Sequence, residues 1–176
     1  MDYLLIIRHA VPSDAPDIHA ILQKSFREYA EKIGVSELDA LKETASDIEY
    51  AINNNIVYVA IIDGQIIGTI RVEISGNEAC ISRFAVNPSH RNMGVGESLI
   101  NLVDKYLKAK GVKRVYLYTA SNNTNLVRFY YGRGFYIESV SHERGYPRAR
   151  MVKEYSDTDM SEQDCCKHQT NSFHCK

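Results

Sequence analysis

The apolar positions of this chain change their period along its length, and each change marks an element. Tyr3 to Arg8 is a short apolar run of strand length. Ile18, Ile21, Leu22, Phe26, Tyr29 and Ile33 then recur at helical spacing behind Pro12-Ser13-Asp14, where Ser13 or Asp14 is placed to cap, and Gly34 ends the run. A second helix is expected from Ser36 on the stripe Leu38, Leu41, Ala45, Ile48 and Ile52, with Asn53-Asn54-Asn55 breaking it. The middle of the chain switches to β-branched runs. Ile56 to Ile62 and Gln65 to Ile74 are joined by Asp63-Gly64, a strong hairpin signal. Ser75-Gly76-Asn77 marks a second turn before Glu78 to Val86, which Pro88 stops. These three strands predict an antiparallel meander.

Helical spacing returns in Leu99, Ile100, Val103, Tyr106 and Leu107, on a helix over Val95 to Lys108 that Gly111 ends. Val115 to Thr119 is strand-like, and Asn123 to Gly132 is a short helix carrying Leu126, Phe129 and Tyr130. Phe135 to Ser141 and Ala149 to Tyr155 read as a closing strand pair around Gly145-Tyr146-Pro147. The strand–helix–strand stretch from 78 to 120 predicts a parallel pair with a right-handed crossover. The fold class is therefore α/β (α+β): a mixed sheet of about seven strands, near typical sheet size, flanked by four helices. Residues 1–155 form the domain, and the polar, aperiodic segment 156–176 is a tail.

Composition narrows the function. An apolar fraction of 44% is that of a globular protein. A net charge of −1 gives no global attraction to nucleic acid or anionic lipid. No apolar run approaches the span of about 20 residues that a membrane helix needs. The start has no basic segment of the signal-peptide kind. Cys80 stands alone in the body, and Cys165, Cys166 and Cys175 fall in the tail. No disulfide framework can be built on one core cysteine, which fits a cytoplasmic setting. The adjacent Cys165-Cys166 does not match structural zinc spacing, so no metal is expected.

Chemistry concentrates at Arg91-Asn92-Met93-Gly94-Val95-Gly96, between a strand and a helix. Two glycines one residue apart let several backbone N–H groups turn toward one point, and the helix start adds unpaired N–H groups and its positive dipole end. Such a site suits a diphosphate. A dinucleotide fingerprint is not completed: no third glycine follows, and the next strand ends in Tyr118-Thr119-Ala120 without a carboxylate. The Gly-Lys-Ser/Thr of a Walker loop is absent as well.

The stretch Phe84-Ala85-Val86-Asn87-Pro88-Ser89-His90-Arg91-Asn92-Met93-Gly94-Val95-Gly96 resembles motif A of the GNAT superfamily of N-acetyltransferases. Asn123-Thr124-Asn125-Leu126-Val127-Arg128-Phe129-Tyr130-Tyr131-Gly132-Arg133-Gly134-Phe135 resembles its motif B, with Leu126 where alanine is usual. The resemblance implies the GNAT fold, in which two splayed parallel strands hold acetyl-coenzyme A as co-substrate. It implies that the backbone of Phe84 and Val86 bonds the pantetheine arm and that N–H groups from Arg91, Asn92, Met93, Gly94, Val95 and Gly96 hold the diphosphate. The N–H of Phe84 or Ala85 would polarise the thioester oxygen. Arg91 would fix the loop. Asn123 would contact the pantetheine or cap its helix. Tyr130 would be the general acid for the leaving thiolate, whose conjugate thiol has an ordinary pKa of about 8.5. The neighbouring Tyr131 points elsewhere around the helix.

Glu73 and Glu78 are candidates for accepting the amine proton, and each also reads as a solvated strand-end charge. Arg83 would either select an acidic acceptor or pair with Glu73. The resemblance puts the first two helices over the acceptor, which brings in Glu28 and Tyr29. Those helices carry an excess of acids that would draw a cationic amine. The expected acceptor is a small-molecule or peptide amine, and a homodimer is compatible. The expected activity is direct acetyl transfer in a ternary complex. A nucleotide-binding regulator and a catalytically silent acyl-CoA-binding scaffold are the rival classes.

Overall fold

A computed structural model describes residues 4–156. Tyr3 and the tail from 157 onward, with its three cysteines, lie outside the described residues. The strands are β1 (Ile6–His9), β2 (Ile56–Ile62), β3 (Gln65–Ser75), β4 (Glu78–Val86), β5 (Arg114–Ala120), β6 (Tyr136–Ser141) and β7 (Arg148–Glu154). They form one seven-stranded sheet in the spatial order β1-β2-β3-β4-β5-β7-β6. Only β4 and β5 run parallel; the other neighbours are antiparallel. The closing hairpin enters the sheet through its second strand: β7 lies beside β5 and β6 becomes the edge.

The helices are α1 (Ala15–Ile33), α2 (Asp39–Lys42), α3 (Ala45–Asn54), α4 (Val95–Ala109) and α5 (Thr124–Tyr131). The single helix expected after Ser36 is thus two. Thr44 breaks it with a capping box: its hydroxyl accepts the Asp47 N–H at 3.2 Å, and the Asp47 carboxylate takes the Thr44 N–H at 2.8 Å. The apolar stripe ran through this break, so periodicity alone did not show it. The start of α1 also differs from expectation. Asp14 occupies the N-cap position but makes no side-chain cap there. Its carboxylate instead accepts the Val11 N–H at 2.8 Å and pairs with Arg8, which anchors β1 to the helix.

Strand alternation sorts the side chains into two cores. Tyr58, Ile70, Ile81, Val115, Leu117 and Met151 face α4 and α5 with Leu99, Leu107 and Phe135. Val57, Val59 and Ala85 face α1 and α3 with Ile18, Leu22 and Ile48. The second cluster covers the sheet from β1 to β4 and stops short of β5. Beyond them Tyr116 and Tyr118 carry the arginine side chains of β7 on the same face of the sheet.

Leu99 is fully buried at the centre of the larger core. Leu99→Ala should lower unfolding stability by about 2–5 kcal/mol, read as a lower urea midpoint at unchanged slope.

Candidate active site

Parallel pairing of β4 with β5 stops early. It covers Glu78 with Arg114, Ala79 with Val115 and Cys80 with Tyr116. Two local features accompany the split. The β3–β4 register passes from Arg71 opposite Ser82 to Thr69 opposite Ala85, so Arg83 and Phe84 together face Ile70. That is a bulge, which bends its strand. Arg83 sits in it with φ +48, a left-handed conformation that costs a non-glycine residue about 1–2 kcal/mol. Across the split, Tyr29 of α1 reaches β5. Its hydroxyl accepts the Ala120 N–H at 2.7 Å and lies 3.5 Å from Thr119 Oγ1. A phenol thus satisfies a backbone donor that the split takes away from β4.

The loop after β4 turns through Pro88–His90 and enters α4. The Asn87 carboxamide oxygen accepts the Ser89 N–H at 3.2 Å, which holds the turn. Asn92 and Gly94 have φ of +63 and +77. The first bond of α4 runs from Ser98 N–H to Gly94 C=O at 2.9 Å, so the N–H groups of Val95, Gly96 and Glu97 project from the helix end. Successive N–H groups in such a bend make an anion-binding concavity. The two glycines serve different needs. A Cβ at Gly94 would meet no protein atom within 4 Å, and its positive φ is what calls for glycine. A Cβ at Gly96 would stand 3.2 Å from Phe84 Cζ and 3.6 Å from Phe129 Cζ, so there the close approach is to two aromatic rings. Arg91 pairs with Glu28 at 2.6 Å, which ties the loop to α1 and leaves Glu28 on the outer surface. Met93 is exposed at the tip.

Tyr130 of α5 is buried near Phe84 of β4. Its ring packs edge-on to Phe129 and Phe135, at 5.3 and 5.7 Å between centroids, and 6.5 Å from Phe84. Burial, with the Tyr29 phenol adding to it against Arg133, pushes its hydroxyl far above the ordinary tyrosine value. Tyr131 is half exposed on the outside of α5. Asn123 is buried and precedes α5, but its side chain makes no cap. Its Oδ1 is buried without a hydrogen-bond partner, at a cost of about 1–3 kcal/mol. A donor on a bound ligand would remove that cost.

The remaining candidates fall elsewhere than expected. Glu73 lies opposite Cys80 at the closed end of the split, is exposed, and accepts from Asn55 at 3.4 Å. Glu78, also at the closed end, pairs with Arg114 at 3.3 Å. The pairing of Arg83 with Glu73 is not formed. Arg83 binds Glu43 at 3.0 Å, and Arg71 binds the same carboxylate with two bonds of 2.8 and 3.1 Å. Burial pushes the Glu43 carboxyl up, and the two guanidiniums more than reverse it, leaving it below the ordinary range. Glu43 and Arg71 were not singled out by sequence reasoning. Glu43 was one of several acids on two adjoining helices, and only the long-range contact distinguishes it. Burial raises the Cys80 thiol, consistent with packing.

A model of the acetyltransferase (GNAT) family matches residues 16–135. Among curated proteins, the spermidine N(1)-acetyltransferase of Thermoplasma acidophilum is 31% identical over 81 residues, covering 46% of this chain and 50% of that protein. The match thus spans about half the length of that relative. A Thermoplasma acidophilum PaiA N-acetyltransferase solved in complex with coenzyme A has a TM-score of 0.76 at 21% identity, over 86% of this chain and 99% of its own. The ribosomal-protein-S18-alanine N-acetyltransferase of Escherichia coli gives 0.72 at 16% identity, over 87% and 95%. At these identities the two structures share the fold.

Tyr29→Phe removes the acceptor of the Ala120 N–H. We expect a stability loss of about 1–3 kcal/mol and faster hydrogen exchange at the Ala120 amide, with the remaining β5 amides unchanged.

Proposed function

The chain belongs to the acetyltransferase (GNAT) family, and from that premise we propose that it moves an acetyl group from acetyl-CoA to a primary amine by direct transfer in a ternary complex. The observation that carries this reading is the β4–β5 split. Beside it stand the N–H-rich start of α4, a buried phenol near Phe84 of β4, and an orphaned carboxamide oxygen just after β5. Bound acetyl-CoA would supply an acyl thioester, activated for attack by an amine.

The chain's own groups then have separable tasks. The N–H groups of the Arg91 to Gly96 loop hold a diphosphate, and Arg91 keeps the loop in place through Glu28. The backbone of Phe84 and Val86 offers the polar groups of a strand edge to an extended ligand arm. Asn123 Oδ1 accepts a hydrogen bond from that arm. The N–H of Phe84 or Ala85 is the donor proposed for the carbonyl oxygen. The Tyr130 hydroxyl donates toward the sulfur as negative charge grows there. Glu73 and Glu78 both sit at the closed end of the split, which favours solvent over either carboxylate as the acceptor of the amine proton. The spermidine in the name of the Thermoplasma relative makes a polyamine one acceptor class to test.

Tyr130→Phe should cut turnover by about 10²–10⁴-fold while calorimetry gives an unchanged acetyl-CoA affinity. Equal turnover would remove the phenol from the chemistry, and binding of ATP in place of acetyl-CoA would overturn the whole reading. Because burial holds the Tyr130 phenol above its ordinary value, its protonated, donating form persists as the solution becomes alkaline. The rate should therefore show no descending limb from this group below about pH 10. A fall centred near neutrality that disappears in Tyr130→Phe would contradict the assignment.

A further inference from the structure

The charge at the open end of the split differs from what the acidic helices promised. Glu28 is engaged by Arg91, Glu37 by Lys42 at 2.8 Å, and Asp39 by Arg144 of the β6–β7 loop at 2.5 Å. Glu43 holds two arginines at once. These four acids are already paired with cations of the same chain and are poor bait for another. Two guanidiniums are not matched by a carboxylate of their own. Arg83 shares its single carboxylate with Arg71, and its Nε is buried without a partner. Arg148 of β7 lies opposite Ala120, the residue whose N–H the Tyr29 phenol takes. Its guanidinium stacks 3.8 Å from the centre of the Tyr118 ring. Among the described residues no carboxylate pairs with Arg148. It is also close enough to bear on the Tyr29 hydroxyl.

We propose that the acceptor amine also carries a carboxylate, held by the guanidinium of Arg148 with Arg83 on the opposite wall. This rests on the acetyl-transfer reading above and narrows its acceptor. Arginine suits the task because its planar fork matches a carboxylate in two parallel hydrogen bonds. Stacking on Tyr118 fixes the plane of the Arg148 fork, so less freedom is lost when an anion docks. A polyamine brings only positive charge to these two arginines and is disfavoured by like-charge repulsion.

The test is thiol release from acetyl-CoA by the full chain, with free amino acids, their α-carboxamides, dipeptides and spermidine as acceptors. The carboxamides have the less basic amine, so amine reactivity near neutral pH favours them. We expect the carboxylate forms to exceed their carboxamides in kcat/KM by about tenfold or more, the worth of one charge-assisted hydrogen bond. Amino acids and dipeptides separate the two sources of the carboxylate. Arg148→Gln and Arg83→Gln should each raise KM for the carboxylate forms with a smaller change in kcat, and should keep acetyl-CoA affinity, which shows that the variants fold. Carboxamides or spermidine acetylated as well as the acids, or variants that act equally on both forms, would overturn the inference and leave acetyl transfer standing. Acetyl-CoA binding with no amine acetylated at all would overturn both.

Discussion

Backbone hydrogen bonding between β4 and β5 is satisfied for three residue pairs and then abandoned, and most of the site follows from that decision. A parallel pair that zipped fully would leave no groove and would bury Phe84 and Val86 against β5. Keeping it open has a cost, because each strand edge then presents unpaired polar groups. The chain meets part of that cost internally. The Arg83 bulge bends β4 away, and the Tyr29 hydroxyl takes the Ala120 N–H on the other side. Asn123 Oδ1, just after β5, is left unsatisfied.

The same opening organises the charges. Arg83 can hold its strained φ because the bulge that demands it also delivers its side chain to Glu43, where Arg71 from the neighbouring strand already sits. A half-buried carboxylate between two guanidiniums is costly to remove, since that would leave the buried Arg71 and the half-buried Arg83 as facing cations. Glu43 therefore anchors Arg71 and Arg83 to one another. Arg144 and Asp39 join α2 to the β6–β7 loop from the solvent side, where an exposed ion pair contributes little energy and mainly limits where the loop can lie.

Much of this was legible from residue pattern. The period change at Asn55, the Asp63-Gly64 hairpin and the helix from Val95 each have a local cause, so each could be read locally. The strand order of the last hairpin and the break at Thr44 could not. The first depends on which strand finds β5, and the second hides under an unbroken apolar stripe. The places of the glycine loop at the start of α4 and of Tyr130 in α5 were legible through motif spacing. The reason for Gly96 was not, because the rings it accommodates come from β4 and α5. Glu73 and Glu43 show the limit most clearly. Both are acids in plausible positions, and only strand register and a contact 28 residues apart in sequence decide which one meets an arginine.

The high pKa of Tyr130 constrains how it can act. Even at ordinary values a phenol near 10 is a weaker acid than a thiol near 8.5, so full proton transfer to a thiolate is uphill by about 2 kcal/mol. Burial makes it steeper. A complete, early proton transfer from Tyr130 therefore runs against the environment that the fold has built around it. A hydrogen bond that strengthens as charge moves onto the sulfur does not, because the donor keeps its proton and the surrounding aromatic rings exclude competing water. Under that reading Phe84, Phe129 and Phe135 are part of the chemistry. They keep the phenol neutral and dry, and a site that admitted water to this end of the split would weaken the donor without touching it.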